Sequence, residues 1–195
     1  RSVTGTGTFA QTAGSSQING NLRQREVTIH GGQLFGTGSL AAAVINSGGV
    51  IMGGDPTAPG TLSISGSFTQ EAGGTWQQVF TGSAPGQYGF LDINGSLGVG
   101  GTLNIVTDNG FTFAAGQTFT IADFTPGSLS GSFANMVFGN YVGDGYSLSI
   151  GNDLILAALY NNALGSIQLQ VSQVSSVPLP SAVWLFGSGV LGLMA

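Results

Sequence analysis

Short runs of alternating apolar and small polar residues, each closed by a turn pair, dominate this chain. In Thr61-Leu62-Ser63-Ile64-Ser65 the apolar Leu62 and Ile64 alternate with hydroxyls at period two, the spacing of a half-buried strand. The alternation returns in Glu26-Val27-Thr28-Ile29-His30, Phe90-Leu91-Asp92-Ile93, Thr102-Leu103-Asn104-Ile105 and Thr118-Phe119-Thr120-Ile121. It is found again in Tyr146-Ser147-Leu148-Ser149-Ile150 and Ser166-Ile167-Gln168-Leu169-Gln170-Val171. Turn pairs separate the runs: Gly48-Gly49, Pro59-Gly60, Gly73-Gly74, Gly100-Gly101, Asn109-Gly110 and Gly151-Asn152. No stretch before residue 175 offers a capped helix. Asp153 to Leu164 is the nearest, and its Leu154-Ile155-Leu156 and Tyr160 suit a buried strand equally well. The pattern predicts an all-β body of predominantly parallel strands over residues 1–172. Leu62, Ile64, Phe68, Ile93, Leu103, Ile105, Phe119 and Ile121 are expected to point inward.

Charge narrows the function. Only 6% of the 195 residues are charged, against about a quarter in ordinary soluble domains, so Ser, Thr, Asn and Gln must supply solubility. Lysine and cysteine are absent, which excludes disulfides, thiolate metal sites, Schiff bases and a phosphate-binding loop. Arg1, Arg23 and Arg25 against Glu26 leave the first thirty residues at +2, and the remainder holds seven acids without a base, −7. Nucleic-acid binding needs clustered bases to displace counterions from phosphates, and three arginines do not provide them. The chain opens on Arg1 with no basic-then-apolar leader and is expected to be a processed form or an N-terminally truncated piece.

An internal echo sets the architecture. Gly7-Thr8-Phe9-Ala10-Gln11-Thr12-Ala13-Gly14 recurs as Gly66-Ser67-Phe68-Thr69-Gln70-Glu71-Ala72-Gly73, 59 positions on. Self-similarity over tens of residues points to a solenoid whose rungs bury their apolar faces on one another, here a parallel β-helix with coils of roughly twenty residues. A jelly-roll sandwich or an open β-roll is the alternative.

Two segments of the body resemble autotransporter-type passenger repeats. One runs from Val44-Ile45-Asn46-Ser47-Gly48-Gly49-Val50-Ile51 through Pro59-Gly60-Thr61-Leu62-Ser63-Ile64-Ser65-Gly66-Ser67-Phe68-Thr69-Gln70. The other is Leu91-Asp92-Ile93-Asn94-Gly95-Ser96-Leu97-Gly98-Val99-Gly100-Gly101-Thr102-Leu103, followed by Gly116-Gln117-Thr118-Phe119-Thr120-Ile121. The resemblance spans about residues 5–155 and implies rungs of a right-handed β-helix. The Gly53-Gly54-Asp55-Pro56-Thr57-Ala58 stretch departs from it, being longer and more acidic than the family's turn.

After Val171 the composition changes. Residues 173–180 read as a polar linker ending in Val177-Pro178-Leu179-Pro180, whose prolines hold the backbone extended. Ser181 then caps an uncharged run from Ala182 to Ala195, a truncated transmembrane helix of about 21 Å with Trp184 suited to one interface. Val177-Pro178-Leu179-Pro180-Ser181-Ala182-Val183-Trp184-Leu185-Phe186-Gly187-Ser188-Gly189-Val190-Leu191-Gly192-Leu193 closely resembles the PEP-CTERM sorting signal of Gram-negative bacteria that make exopolysaccharide. That family joins a Pro-x-Pro motif, an apolar span and a basic cluster. Here Leu179 replaces the glutamate of the family name, and the chain ends at Ala195 before any basic cluster. The resemblance implies processing by exosortase, transient anchoring in the inner membrane, and delivery to the cell surface or extracellular matrix.

No catalytic constellation is legible. His30 is the only histidine, and with Glu26, Thr28 and the preceding Arg23 and Arg25 it reads as a solvated polar face of a strand. Gly187-Ser188-Gly189-Val190-Leu191-Gly192 matches a dinucleotide fingerprint in spelling only, with no βαβ unit around it; Ser188 and Gly192 suit close helix packing. Asp108 before Asn109-Gly110 and Asp144 between Gly143 and Gly145 are the candidates for calcium, but neither matches a nonapeptide calcium repeat and turn chemistry explains both. The sequence therefore predicts a non-enzymatic structural or adhesin-like surface protein without cofactor or metal, a processing substrate of exosortase, with exopolysaccharide as a possible matrix partner. A carbohydrate-active β-helix resembling a polysaccharide lyase is the alternative.

Overall fold

The computed structural model describes residues 3–174, all of them in strands, turns and irregular segments with no helix among them. The sorting motif Val177–Pro180 and the apolar segment Ala182–Leu193 lie outside the described residues. In chain order the strands are β1 Val3–Thr4, β2 Thr8–Gln11, β3 Ser15–Gln17, β4 Asn21–Ile29, β5 Gln33–Gly36, β6 Ser39–Asn46 and β7 Val50–Gly53. They continue as β8 Thr61–Ile64, β9 Phe68–Gln70, β10 Thr75–Phe80, β11 Phe90–Ile93, β12 Leu97–Val99, β13 Thr102–Thr107 and β14 Thr118–Asp123. The last six are β15 Leu129–Gly131, β16 Asn135–Phe138, β17 Tyr141–Asp144, β18 Ser147–Gly151, β19 Leu154–Asn161 and β20 Ser166–Gln173.

Up to β16 the strands pair in parallel, forming three ladders. The first joins β1, the front of β4, the front of β6, β8, β11 and β14. The second joins β2, the back of β4, the back of β6, β9, β12 and β15. The third joins β3, β5, β7, β10, β13 and β16. The chain visits the ladders in this order and then returns to the first. Along the third ladder Ser15, Gln33, Val50, Thr75, Thr102 and Asn135 stand side by side, so successive rounds take 18, 17, 25, 27 and 33 residues.

Period-two alternation within each strand becomes columns of like residues across strands. Leu22, Leu40, Ile64 and Ile93 line up on the first ladder, and Val27, Val44, Phe68 and Leu97 on the second. Leu34, Ile51, Trp76, Leu103 and Met136 line up on the third. All of these are buried and belong to one core cluster, as are the eight residues expected to point inward. Outside the core, Thr75, Thr102 and Asn135 form a polar column.

The turn pairs have a structural reason. At the corner between the second and third ladders, Gly14, Gly32, Gly49, Gly74 and Gly101 stack above one another. Each gives its carbonyl to the first amide of the third ladder one round later: Gln33, Val50, Thr75, Thr102 and Asn135 donate in turn. The inner side of the same corner carries the echo. Gln11, Ile29, Asn46 and Gln70 are in register, so the 59-residue offset spans three rounds. Gln11 Nε2 donates to the carbonyls of Gly14 and Gln33, and Gln70 Nε2 to those of Gly100 and Thr102. These amide N–H groups tie one round to the next, while the Oε1 atoms of Gln11 and Gln70 are buried with no hydrogen-bond partner, an exception to the rule that interior polar groups are paired.

After β16 the direction of pairing changes, which the alternation does not announce. β17 turns back antiparallel on β16, and β18, β19 and β20 form an antiparallel meander that ends on β14. Asp153 to Leu164, legible as either helix or strand, contains the strand β19. Tyr160 fastens this cap: its hydroxyl donates to the Gly145 carbonyl at 2.5 Å and accepts from the Phe133 amide at 3.0 Å. Burial pushes the Tyr160 phenol up to about 12.

Candidate functional site

The ionisable cluster read from the sequence falls on the outside of β4. Val27 and Ile29 point into the core, leaving Glu26, Thr28 and His30 on the opposite face. Between Arg23 and Glu26 the register against β6 slips, with Gln24 and Arg25 facing the single Ala42, so Arg23 and Arg25 are both exposed. His30 is exposed, and its Nδ1 is 2.8 Å from the Ser47 hydroxyl of the next round. A pair so placed is worth little to stability, and His30→Ala should leave the melting temperature within about 2 °C and any binding activity unchanged. A thermal melt alongside a binding assay checks this.

The aspartates of the turns bind their own backbone. Asp144 Oδ1 accepts from the Tyr146 and Ser147 amides at 2.8 and 2.7 Å, and Asp55 Oδ1 from Thr57 and Ala58 at 2.8 and 2.6 Å. Those amides hold both carboxyls below their usual range. Asp108 Oδ1 accepts from the Asn109 amide at 2.7 Å, and Asn109 takes the left-handed conformation, φ 53°. Such turns are the ordinary use of Asp. Among the described residues no three His, Cys, Asp or Glu side chains group as metal ligands.

A different place concentrates binding chemistry. Across the outer surface of the first ladder runs a groove of about 490 Å³. Its floor crosses four neighbouring strands, with Thr61 on β8, Phe90 on β11, Thr120 and Asp123 on β14, and Ser166 and Gln168 on β20. Register puts Phe90 beside Thr61, Asp123 beside Ser166 and Thr120 beside Gln168. One wall is the loop between β10 and β11, where the Thr81 amide donates to the Gln87 carbonyl, the Gln87 amide to the Ala84 carbonyl, and the Gln87 Oε1 accepts from the Ala84 amide. That loop contributes Pro85, Gly86 and Tyr88. The other wall is the β19–β20 turn, which contributes Leu164, 74% exposed.

Tyr88 is held rather than loose. Its ring meets Phe119 edge-on at 5.4 Å and Phe80 at 5.7 Å. Burial pushes its phenol up. The Asp123 carboxyl is also pushed up, by burial first and then by Asp92, its neighbour in register on β11. Gln168 Nε2 donates to Thr120 Oγ1 at 3.2 Å. The sequence did not disclose this groove, because its members meet only through the register of strands as distant in the chain as β8 and β20.

No protein-family model, no curated protein and no solved structure matches the chain.

Proposed function

We propose that this is a secreted cell-surface protein of structural or adhesin-like function, sorted and processed through its PEP-CTERM-type tail by exosortase. Its body is a parallel β-helix closed by an antiparallel cap. Support for the β-helix comes from the three parallel ladders, visited in constant order with inward apolar columns and a stacked glycine corner. Among the described residues no helix is long and apolar enough to cross a membrane.

The observation that carries the reading is the tail itself. Val177-Pro178-Leu179-Pro180 and Ser181 precede the fourteen uncharged residues Ala182 to Ala195, in a chain whose described residues are built of strands. The outward positions of the ladders carry polar columns such as Thr75, Thr102 and Asn135. That suits multivalent contact with a hydrated matrix such as exopolysaccharide.

The prolines give the test. Pro178→Ala together with Pro180→Ala keeps the apolar run intact while removing the fixed backbone that a processing enzyme would read. In a host with exosortase, and behind an export leader, this double variant should stay unprocessed in the membrane fraction while the parent chain is cleaved. Equal cleavage of both would contradict recognition through this motif.

A further inference from the structure

We propose that the groove over β8, β11, β14 and β20 binds a neutral, hydroxyl-rich saccharide chain. This gives the adhesive body a ligand class, and it rests on the reading of the body as the binding part; the tail takes no part in it.

Shape comes first. The groove crosses the strands rather than following one, and three strand spacings of about 4.8 Å make its floor roughly 14 Å long. It is walled on both sides by loops and suits a linear chain of several rings better than a compact metabolite. Exposure of Leu164 at its rim, at 74%, leaves a large apolar side chain in water beside an aromatic floor. Together with the half-buried rings of Tyr88 and Phe90, it gives the groove an apolar side on which a ligand's C–H groups can rest.

Chemistry selects the class. A sugar ring offers an apolar C–H face and a girdle of hydroxyls. Tyr88 and Phe90 offer half-buried rings, and Tyr88 is pre-positioned by Phe119 and Phe80, so little ordering cost remains to be met on binding. Around them stand hydroxyls at Thr61, Thr120 and Ser166, the amide of Gln168 and the carboxyl of Asp123. Few but directed polar groups on an apolar floor are what fixes a ligand's orientation. Among the described residues no side chain hydrogen-bonds the Asp123 carboxyl, which leaves both oxygens to accept from vicinal hydroxyls.

Charge excludes the competitors. Asp123 is the carboxyl lining the groove, Asp92 stands next to it in register, and no Lys, Arg or His occurs beyond His30 in the sequence. A phosphate, a nucleic acid or an acidic polysaccharide would meet repulsion with nothing to offset it.

Affinity electrophoresis of the full chain tests this in gels containing dextran, a soluble β-glucan, a galactomannan or alginate. The expected result is retardation by at least one neutral polysaccharide and none by alginate. Asp123→Ala and Tyr88→Ala should each weaken that retardation at least tenfold. Asp123→Ala relieves a like-charge contact and is expected to fold as the parent does, so it decides the matter if Tyr88→Ala loosens the floor. No retardation by any neutral polysaccharide, retardation by alginate alone, or retardation unchanged in Asp123→Ala would each overturn the proposal. None of those three results bears on processing of the tail, which fails or stands by its own cleavage assay.

Discussion

Trp76→Ala should destabilise the body by about 4 kcal/mol, the largest loss expected from any single truncation. Trp76 is 1% exposed at the centre of the third ladder's inner column, between Ile51 and Leu103. It also spans the interior, meeting Phe68 of the second ladder at 6.0 Å and Phe133 at 5.7 Å, both edge-on. Removing the indole takes away buried area and both ring contacts. It also leaves a cavity that the ladders are poorly able to close, because each strand is fixed by hydrogen bonds to the rounds above and below. With the size scaling of a domain of this length, the melting temperature should fall by roughly 8–16 °C. Thermal unfolding followed by far-ultraviolet circular dichroism reads the change. A fall of less than about 3 °C would mean that the three faces do not share one interior.

Gly101→Val should be comparably severe for a different reason. Gly101 has φ 61°, which a β-branched residue adopts only with strain, and a side chain there would run into the backbone carbonyls of Gly74 and Glu71 one round below. The obstacle is backbone, not a movable side chain. The round must therefore lift, weakening the bonds from Thr102 to Gly74 and from Ala134 to Gly101. A loss of about 3 kcal/mol or more is expected. Gly14 has a similar φ of 72° with nothing within 4 Å, so Gly14→Val measures the conformational cost alone. The expected outcome is that Gly14→Val costs at least about 1.5 kcal/mol less than Gly101→Val in denaturant unfolding. Equal costs would contradict the stacked corner.

These two residues also mark what the sequence could say. Alternation identified which residues are buried, because period two sorts side chains by face whatever strand lies alongside. Turn pairs were visible too, and Gly48-Gly49, Gly73-Gly74 and Gly100-Gly101 prove to be one corner repeated at successive rounds. The echo placed Gln11 and Gln70 at equivalent positions without revealing that their amides bond between rounds. Partner identity was beyond reach. Nothing local tells Asp92 that it will stand beside Asp123, or Thr120 that it will face Gln168. Lengthening of the rounds escaped for the same reason. The loops between β10 and β11 and between β13 and β14 insert Tyr88, Phe111 and Phe113 around Phe80 and Phe119, which widens the interior beyond the twenty-residue coil expected from spacing. The antiparallel cap was hidden as well, since β18 to β20 alternate as the parallel strands do.

The claim that the tail sorts a self-sufficient body is tested most directly by deleting Val177 to Ala195. Behind an export leader, in a Gram-negative host with exosortase, the parent chain and the deletion are fractionated into membrane, periplasm, surface and medium. The deleted protein is then melted alongside the intact one. The account predicts that deletion moves the body into the periplasm or medium while its melting temperature stays within about 2 °C, since β1 to β20, from Val3 to Gln173, are all retained. A body that melts early or aggregates without the tail would make those residues part of its core, and a body that stays on the cell surface without them would show that something other than the tail puts it there.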